Sequence, residues 1–149
     1  MLTLTRTTSD NPDFRSLVVL LDQDLKEKDG DDHTFYAQYN KVDSINEVIV
    51  VYLNGKAAGC GAIKPYTKSI AEVKRMFVHP DYRRQGIAKQ VLTALEEWAK
   101  ELGYTSTILE TGMKQPEAIE LYKNSNYTVI PNYGQYAGVE NSVCMQKQL

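Results

Sequence analysis

Histidine, cysteine and tryptophan are scarce in this chain, with two, two and one among 149 residues. Cys60 and Cys144 lie far apart, and two histidines beside them offer no ligand spacing for a metal. So few cysteines exclude a disulfide scaffold and read as reduced thiols of a cytoplasmic protein. No apolar run approaches the ~20 residues of a membrane span, and residues 1–10 carry no apolar signal core, so no membrane partner is expected. Neither sign of charge dominates. Seventeen Lys and Arg face 19 Asp and Glu, with a pI near 5.7, which argues against nucleic acid as partner. Phenylalanine is also sparse, at three, whereas tyrosine reaches ten. Phenols at that density serve as core, as pocket lining or as proton donors.

What is present reads as one domain over 1–149, a length that buries a core without staples. A strand is predicted over 2–6. Asp10-Asn11-Pro12 then offers a helix start, and Phe14, Leu17, Val18, Leu21 and Leu25 form one apolar face. Gly30 ends this helix, and Asp31-Asp32 open a shorter one through Tyr39. The β-branched run over 48–53, Asn54-Gly55 and a small-residue strand over 56–63 predict a hairpin. The Ala-Ala-Gly-Cys-Gly-Ala composition of that second strand predicts close packing against it. A third strand spans 70–78, and His79-Pro80 closes it. Ile87, Val91, Leu95, Trp98 and Leu102 then mark a helix with Lys89, Glu96, Glu97, Lys100 and Glu101 on its wet side, ending at Gly103. A strand over 105–110, a loop over 111–114, a helix over 116–124 and strands over 127–130 and 142–147 complete the chain. Antiparallel hairpins mixed with crossover helices give an α+β class, or α/β in a looser scheme.

The informative segment lies between the third strand and the long helix. Arg83, Arg84 and Gly86 stand at a helix N-terminus, where unpaired N–H groups and partial positive charge suit a phosphate or diphosphate. A polar turn is the structural alternative. No Gly-Lys-Ser/Thr ending and no three-glycine fingerprint follow, so neither a Walker-type loop nor a dinucleotide fold fits.

Arg83-x-x-Gly86-x-Ala88 resembles the Q/R-x-x-G-x-G/A signature of the GNAT superfamily of N-acetyltransferases. Arg75-Met76-Phe77-Val78-His79-Pro80 before it, the amphipathic helix after it, Ala118-Ile119-Glu120-Leu121-Tyr122 and Asn126-Tyr127 extend the resemblance over nearly the whole chain. The resemblance implies a mixed, mostly antiparallel central sheet flanked by about four helices, and acetyl-CoA as cofactor. Backbone groups of Met76, Phe77 and Val78 would bond the pantetheine arm. Arg84, Gln85, Gly86, Ile87, Ala88 and Lys89 would hold the diphosphate, with Arg83 heading the signature. Gln115 stands where the family often has Asn, and its longer side chain changes the reach of that contact.

Acetyl transfer needs a neutral amine, donors for the thioester oxygen and a proton for the leaving thiolate. The resemblance places Tyr122 near the sulfur as the acid. Glu110 and Glu72 are the candidate bases, Glu72 sharing strand parity with Lys74, Met76 and Val78; a water chain is the alternative to either. Both carboxylates also have a reading as solvated or ion-paired groups. His79 reads as structural, and nothing fixes a role for His33. Tyr36, Tyr39, Tyr133, Tyr136 and Ser142 are candidates for the acceptor pocket; Cys144 lies beside them without a histidine to activate it. The expected acceptor is a primary amine of a small molecule or peptide, attacked directly in a ternary complex. A non-catalytic acyl-CoA sensor is the competing function. Monomer and homodimer both remain open.

Overall fold

A computed structural model describes residues 1–29 and 44–149. The predicted short helix from Asp31 to Tyr39 lies outside them. In the described residues, β1 (Leu2–Thr7) leads to α1 (Pro12–Asp29), then β2 (Glu47–Leu53), β3 (Lys56–Pro65) and β4 (Ile70–Val78). A turn at Pro80–Tyr82 precedes α2 (Ile87–Glu101); β5 (Ser106–Gly112), α3 (Pro116–Asn124), β6 (Thr128–Ile130) and β7 (Ser142–Gln148) follow. The helix starts are local chemistry. Asn11, rather than Asp10, caps α1, its Oδ1 accepting from the N–H groups of Asp13 at 2.8 Å and Phe14 at 3.1 Å.

Seven strands form one sheet in the order β1-β2-β3-β4-β5-β7-β6. All neighbours are antiparallel except β4 and β5. The hairpin at Asn54-Gly55 forms as expected, both residues at positive φ. β5 runs two residues beyond the predicted Glu110, because Thr111 and Gly112 pair with Val143 and Ser142 of β7.

The two faces of β2 explain its uninterrupted apolar run. Val48 and Val50 pack under α1 with Phe14, Leu17, Val18, Cys60, Ala62 and Phe77. Ile49 and Val51 pack under α2 with Val91, Leu92, Leu95 and Ala99. Each such side chain contributes roughly 1.5–3 kcal/mol by leaving water. The predicted face of α2 needs two corrections. Leu102 is 48% exposed. Glu96, assigned to the wet side, is buried, accepting from Tyr127 Oη and Lys147 Nζ at 2.9 Å each. Tyr127 and Lys147 come from chain distant in sequence, so helical periodicity alone does not reveal that pairing.

β4 contains the irregularity that shapes the molecule. Its pairing with β3 shifts register between Cys60 and Ala62, and Arg75 sits there at φ 59. Such a bulge strengthens twist and re-aims side chains. Ala71, Val73, Met76 and Val78 belong to the α2 face, whereas Arg75 and Phe77 reach the α1 side. Glu72 therefore does not share parity with Met76 and Val78 as a regular strand would require. Gly61 lies opposite the bulge. A Cβ there would stand 2.6 Å from Met76 Sδ, 2.8 Å from Val91 and 2.9 Å from Leu95. Gly61→Ala should lower stability by about 1–3 kcal/mol through overpacking. Urea unfolding checks this; an unchanged midpoint would contradict so tight an approach.

Candidate active site

The parallel pairing of β4 and β5 lasts only from Ile70, Ala71 and Glu72 to Ser106, Thr107 and Ile108. Past that point β4 stays paired to β3, and β5 to β7, while the two strands part. The opening holds a cavity of about 110 Å³. Glu72, Lys74, Arg75 and Met76 line it from β4, and Glu110, Thr111 and Gly112 from β5. α1 adds Leu21 and Leu25, α3 adds Gln115, Ala118 and Tyr122, and Tyr136 reaches in from the loop before β7.

Charged and phenolic groups thus meet in a confined space. Tyr122 is 6% exposed and packs edge-on against Tyr127. Burial, then the Glu110 charge, raises its pKa, so it stays a protonated phenol. Glu72 is buried and accepts from Tyr133 Oη at 2.6 Å. Burial and the Glu72 charge in turn hold Tyr133 protonated. Tyr133 stacks edge-on with both Tyr66 and Tyr136, which clamps the loop against the sheet. Burial lowers the pKa of Lys74, against the opposing pull of Glu72.

Gly86 occupies the N-cap of α2 at φ 76, with no side chain capping the helix. Arg84 precedes it at φ 65, and a Cβ on Gly86 would meet no protein atom within 4 Å. Arg84, Gln85, Gly86 and Lys89 are exposed around uncapped N–H groups, whereas the Ile87 side chain is buried, so Ile87 offers only backbone. Arg83 folds back: its Nε donates to the Val78 carbonyl at 3.0 Å, and its guanidinium lies 5.5 Å from the Phe77 ring. An extended chain ending in a diphosphate fits this arrangement. The β4 edge facing β5 is unpaired in the sheet past Glu72, and the strand leads by way of the turn to the α2 N-terminus.

The structure brings together Tyr122, Glu110, Glu72, Met76, Gln115 and Tyr136 around one cavity. Tyr133 reaches it through Glu72. Ser142 is buried opposite Gly112 and does not line it. Tyr36, Tyr39 and His33 lie outside the described residues. His79 caps the turn at Pro80–Tyr82, its Nδ1 accepting from Asp81 N at 3.1 Å. Cys144 is fully buried and its thiol pKa is raised, chiefly by burial. Lys74 and Arg75 were not among the expected site residues. The bulge that turns them to one side has no signature in the sequence. Among the described residues, no cluster of His, Cys, Asp and Glu could hold a metal ion, and no helix is long and apolar enough to cross a membrane.

Comparison with known proteins agrees with this geometry. The sequence model of the acetyltransferase (GNAT) family matches residues 12–127. IAA acetyltransferase of Azospirillum brasilense is 35% identical over 102 residues, covering 68% of this chain and 67% of that protein. The uncharacterized N-acetyltransferase YsnE of Bacillus subtilis is 36% identical over 94 residues, covering 62% of each. The chain thus spans about two thirds or less of the length of these curated relatives. Among solved structures, a Klebsiella pneumoniae protein assigned as an acyl-CoA N-acyltransferase superposes with TM-score 0.79 at 30% identity, over 100% of this chain and 98% of that one. A GNAT family acetyltransferase from Elizabethkingia anophelis with acetyl-CoA bound shares the fold at TM-score 0.71 and 18% identity, over 99% and 98%.

Proposed function

This chain belongs to the GNAT family of acetyltransferases, and we propose that it moves an acetyl group from acetyl-CoA to a primary amine of a small molecule or peptide by direct attack in a ternary complex. The observation that carries this reading is the opening between β4 and β5. It puts a buried phenol and two carboxylates around one small cavity, beside an unpaired strand edge. The acetyl-CoA bound in the Elizabethkingia relative supports the choice of donor.

Acetyl-CoA would supply an activated thioester on a long arm ending in a diphosphate. Backbone groups of Met76, Phe77 and Val78 would bond the arm along the β4 edge. The N–H groups from Arg84 to Lys89 would hold the diphosphate, with Arg84 adding charge. Arg83, engaged with Val78, shapes the strand end and is a secondary contact. Gln115, at the start of α3 and on the cavity wall, is positioned for an amide contact.

The attacking nitrogen must lose a proton, and the carboxylates are the groups present to take it. Glu72 is held in place by Tyr133, whose hydroxyl donates to one of its oxygens. Glu110 lines the same cavity and is the second candidate. Tyr122 acts as the acid: its Oη holds a proton and can deliver it to the departing sulfur. Tyr136 shapes the acceptor side directly, and Tyr133 does so through Glu72.

Tyr122→Phe should lower kcat by roughly 10–100-fold while changing acetyl-CoA affinity by under about threefold. Steady-state kinetics with a binding titration checks both, and an unchanged kcat would remove Tyr122 as the acid. Gly86→Ala puts a side chain at φ 76, a strained conformation for an L residue, and so should disturb the turn that presents the uncapped N–H groups even though its Cβ would touch no other protein atom. It should weaken coenzyme A binding by about tenfold, an effect of roughly 1.4 kcal/mol. Calorimetric titration checks this. Acetyl-CoA binding with no turnover on any amine would favour the sensor function instead.

A further inference from the structure

Among the described residues, Lys74 and Arg75 are the charged groups of the cavity that the chemistry above does not use, and Arg75 is the more deeply buried. Its side chain is 3% exposed, yet it lines the cavity. Nη1 donates to Asp22 of α1 at 2.8 Å. Nη2 is equally buried and finds no hydrogen-bond partner among the described residues. A guanidinium offers five donors in a flat fork, and a buried one left unpaired is costly. Tethering α1 engages Nη1 only and gives Nη2 no purpose. Asp22 is itself 47% exposed, so water screens it and leaves much of the guanidinium charge uncompensated.

We infer that the acceptor is a compact amine carrying a carboxylate, and that Arg75 receives that carboxylate. This rests on the acyl-transfer reading and narrows its acceptor. The cavity is charged in both senses: Glu72 and Glu110 suit an ammonium group awaiting deprotonation, and Arg75, with Lys74 beside it, suits an anion. A zwitterion answers both. A plain monoamine leaves Nη2 unpaired, and a polyamine brings further cations to Lys74 and Arg75. The diphosphate is not the natural partner of Arg75. That charge belongs beyond Val78 at the α2 N-terminus, whereas Arg75 turns toward α1 at the bulge. Glu72, Glu110 and Arg75 line the same cavity, so the amine and carboxylate of the acceptor must be near enough to enter it together. Two sources meet that requirement: a free α-amino acid, and a peptide whose first residue is Asp or Glu.

The test compares wild type, Arg75→Gln and Asp22→Asn on the twenty amino acids, their α-amides and their decarboxylated amines, with amidated dipeptides beginning in Asp or Glu as a separate arm. In wild type, the best carboxylate-bearing acceptor should exceed its uncharged counterpart by about tenfold or more in kcat/KM. Arg75→Gln should erase that preference, and Asp22→Asn should keep it. Preference for the dipeptides over free amino acids would identify the peptide source. Equal use of acid and uncharged counterpart by wild type would overturn the inference, as would an Arg75→Gln variant that slows every acceptor alike. If Arg75→Gln fails to fold, Arg75→Lys takes its place and should reduce the preference without abolishing it. Heat protection provides a readout without turnover. If acetyl-CoA binds and no amine is acetylated, the acyl-transfer reading fails. In that event, protection by an amino acid or acidic dipeptide of wild type but not of Arg75→Gln still supports the carboxylate site. No such protection sinks it.

Discussion

The parting of β4 from β5 is the constraint on which the rest of the structure depends. Two strands that share only three paired positions leave backbone N–H and C=O groups facing a gap inside the sheet. Unpaired backbone groups away from water are costly, and a fold normally avoids such a gap. Here both outer wings stay fully paired, β4 with β3 and β5 with β7, so the cost is confined to one wedge. The wedge is lined by side chains that an apolar core would reject: Glu72 at its vertex, Glu110 further out on the facing strand, and Lys74 and Arg75 along its wall. On the acyl-transfer reading, a strand-like ligand arm would satisfy the exposed edge and a polar acceptor the side chains, and the gap would be a binding surface whose hydrogen bonds are completed on loading.

The bulge at Arg75 decides which charges share the wedge. In a regular strand Lys74 and Arg75 would point to opposite faces. With Arg75 at φ 59, the alternation resets, and Met76 returns to the α2 core where Val73 already lies. Gly61 is the complement of that distortion, since only a residue without Cβ tolerates Met76, Val91 and Leu95 so near. One local irregularity thus couples core packing on the α2 face to the charge pattern on the α1 face.

Much of this was legible in the sequence, for identifiable reasons. Helices α1 and α2 carry their apolar faces at helical spacing, α3 begins at Pro116, and Asn54-Gly55 fixes a hairpin register. These signals are local. The helix start at Gly86 was likewise readable, because it depends on a local turn between the strand and an amphipathic helix. What escaped depends on contacts between distant segments. Glu96 looks solvated on a helical wheel and is buried by Tyr127 and Lys147. Ser142 was expected in the acceptor pocket but is buried opposite Gly112 and is not part of the cavity wall. The parity assigned to Glu72 failed at a bulge that no composition rule marks.

The excess of tyrosine acquires a chemical meaning once the buried phenols are compared. Burial raises the pKa of Tyr122, Tyr127, Tyr133 and Tyr136, and a neighbouring carboxylate adds to the shift in each case. At neutral pH all four therefore stay protonated and can donate hydrogen bonds. Tyr127 donates to Glu96 within a structural network, and Tyr133 donates to Glu72 at the wedge. The same motif, phenol to carboxylate, serves stability in one place and orientation in the other. It also divides the labour in the cavity. Under the proposed chemistry, proton acceptance would fall to Glu72 and Glu110, and proton donation to Tyr122, which burial keeps protonated on the cavity wall. A phenol and carboxylates that differ in intrinsic acidity and share one cavity would suit transfer between a thioester and an amine.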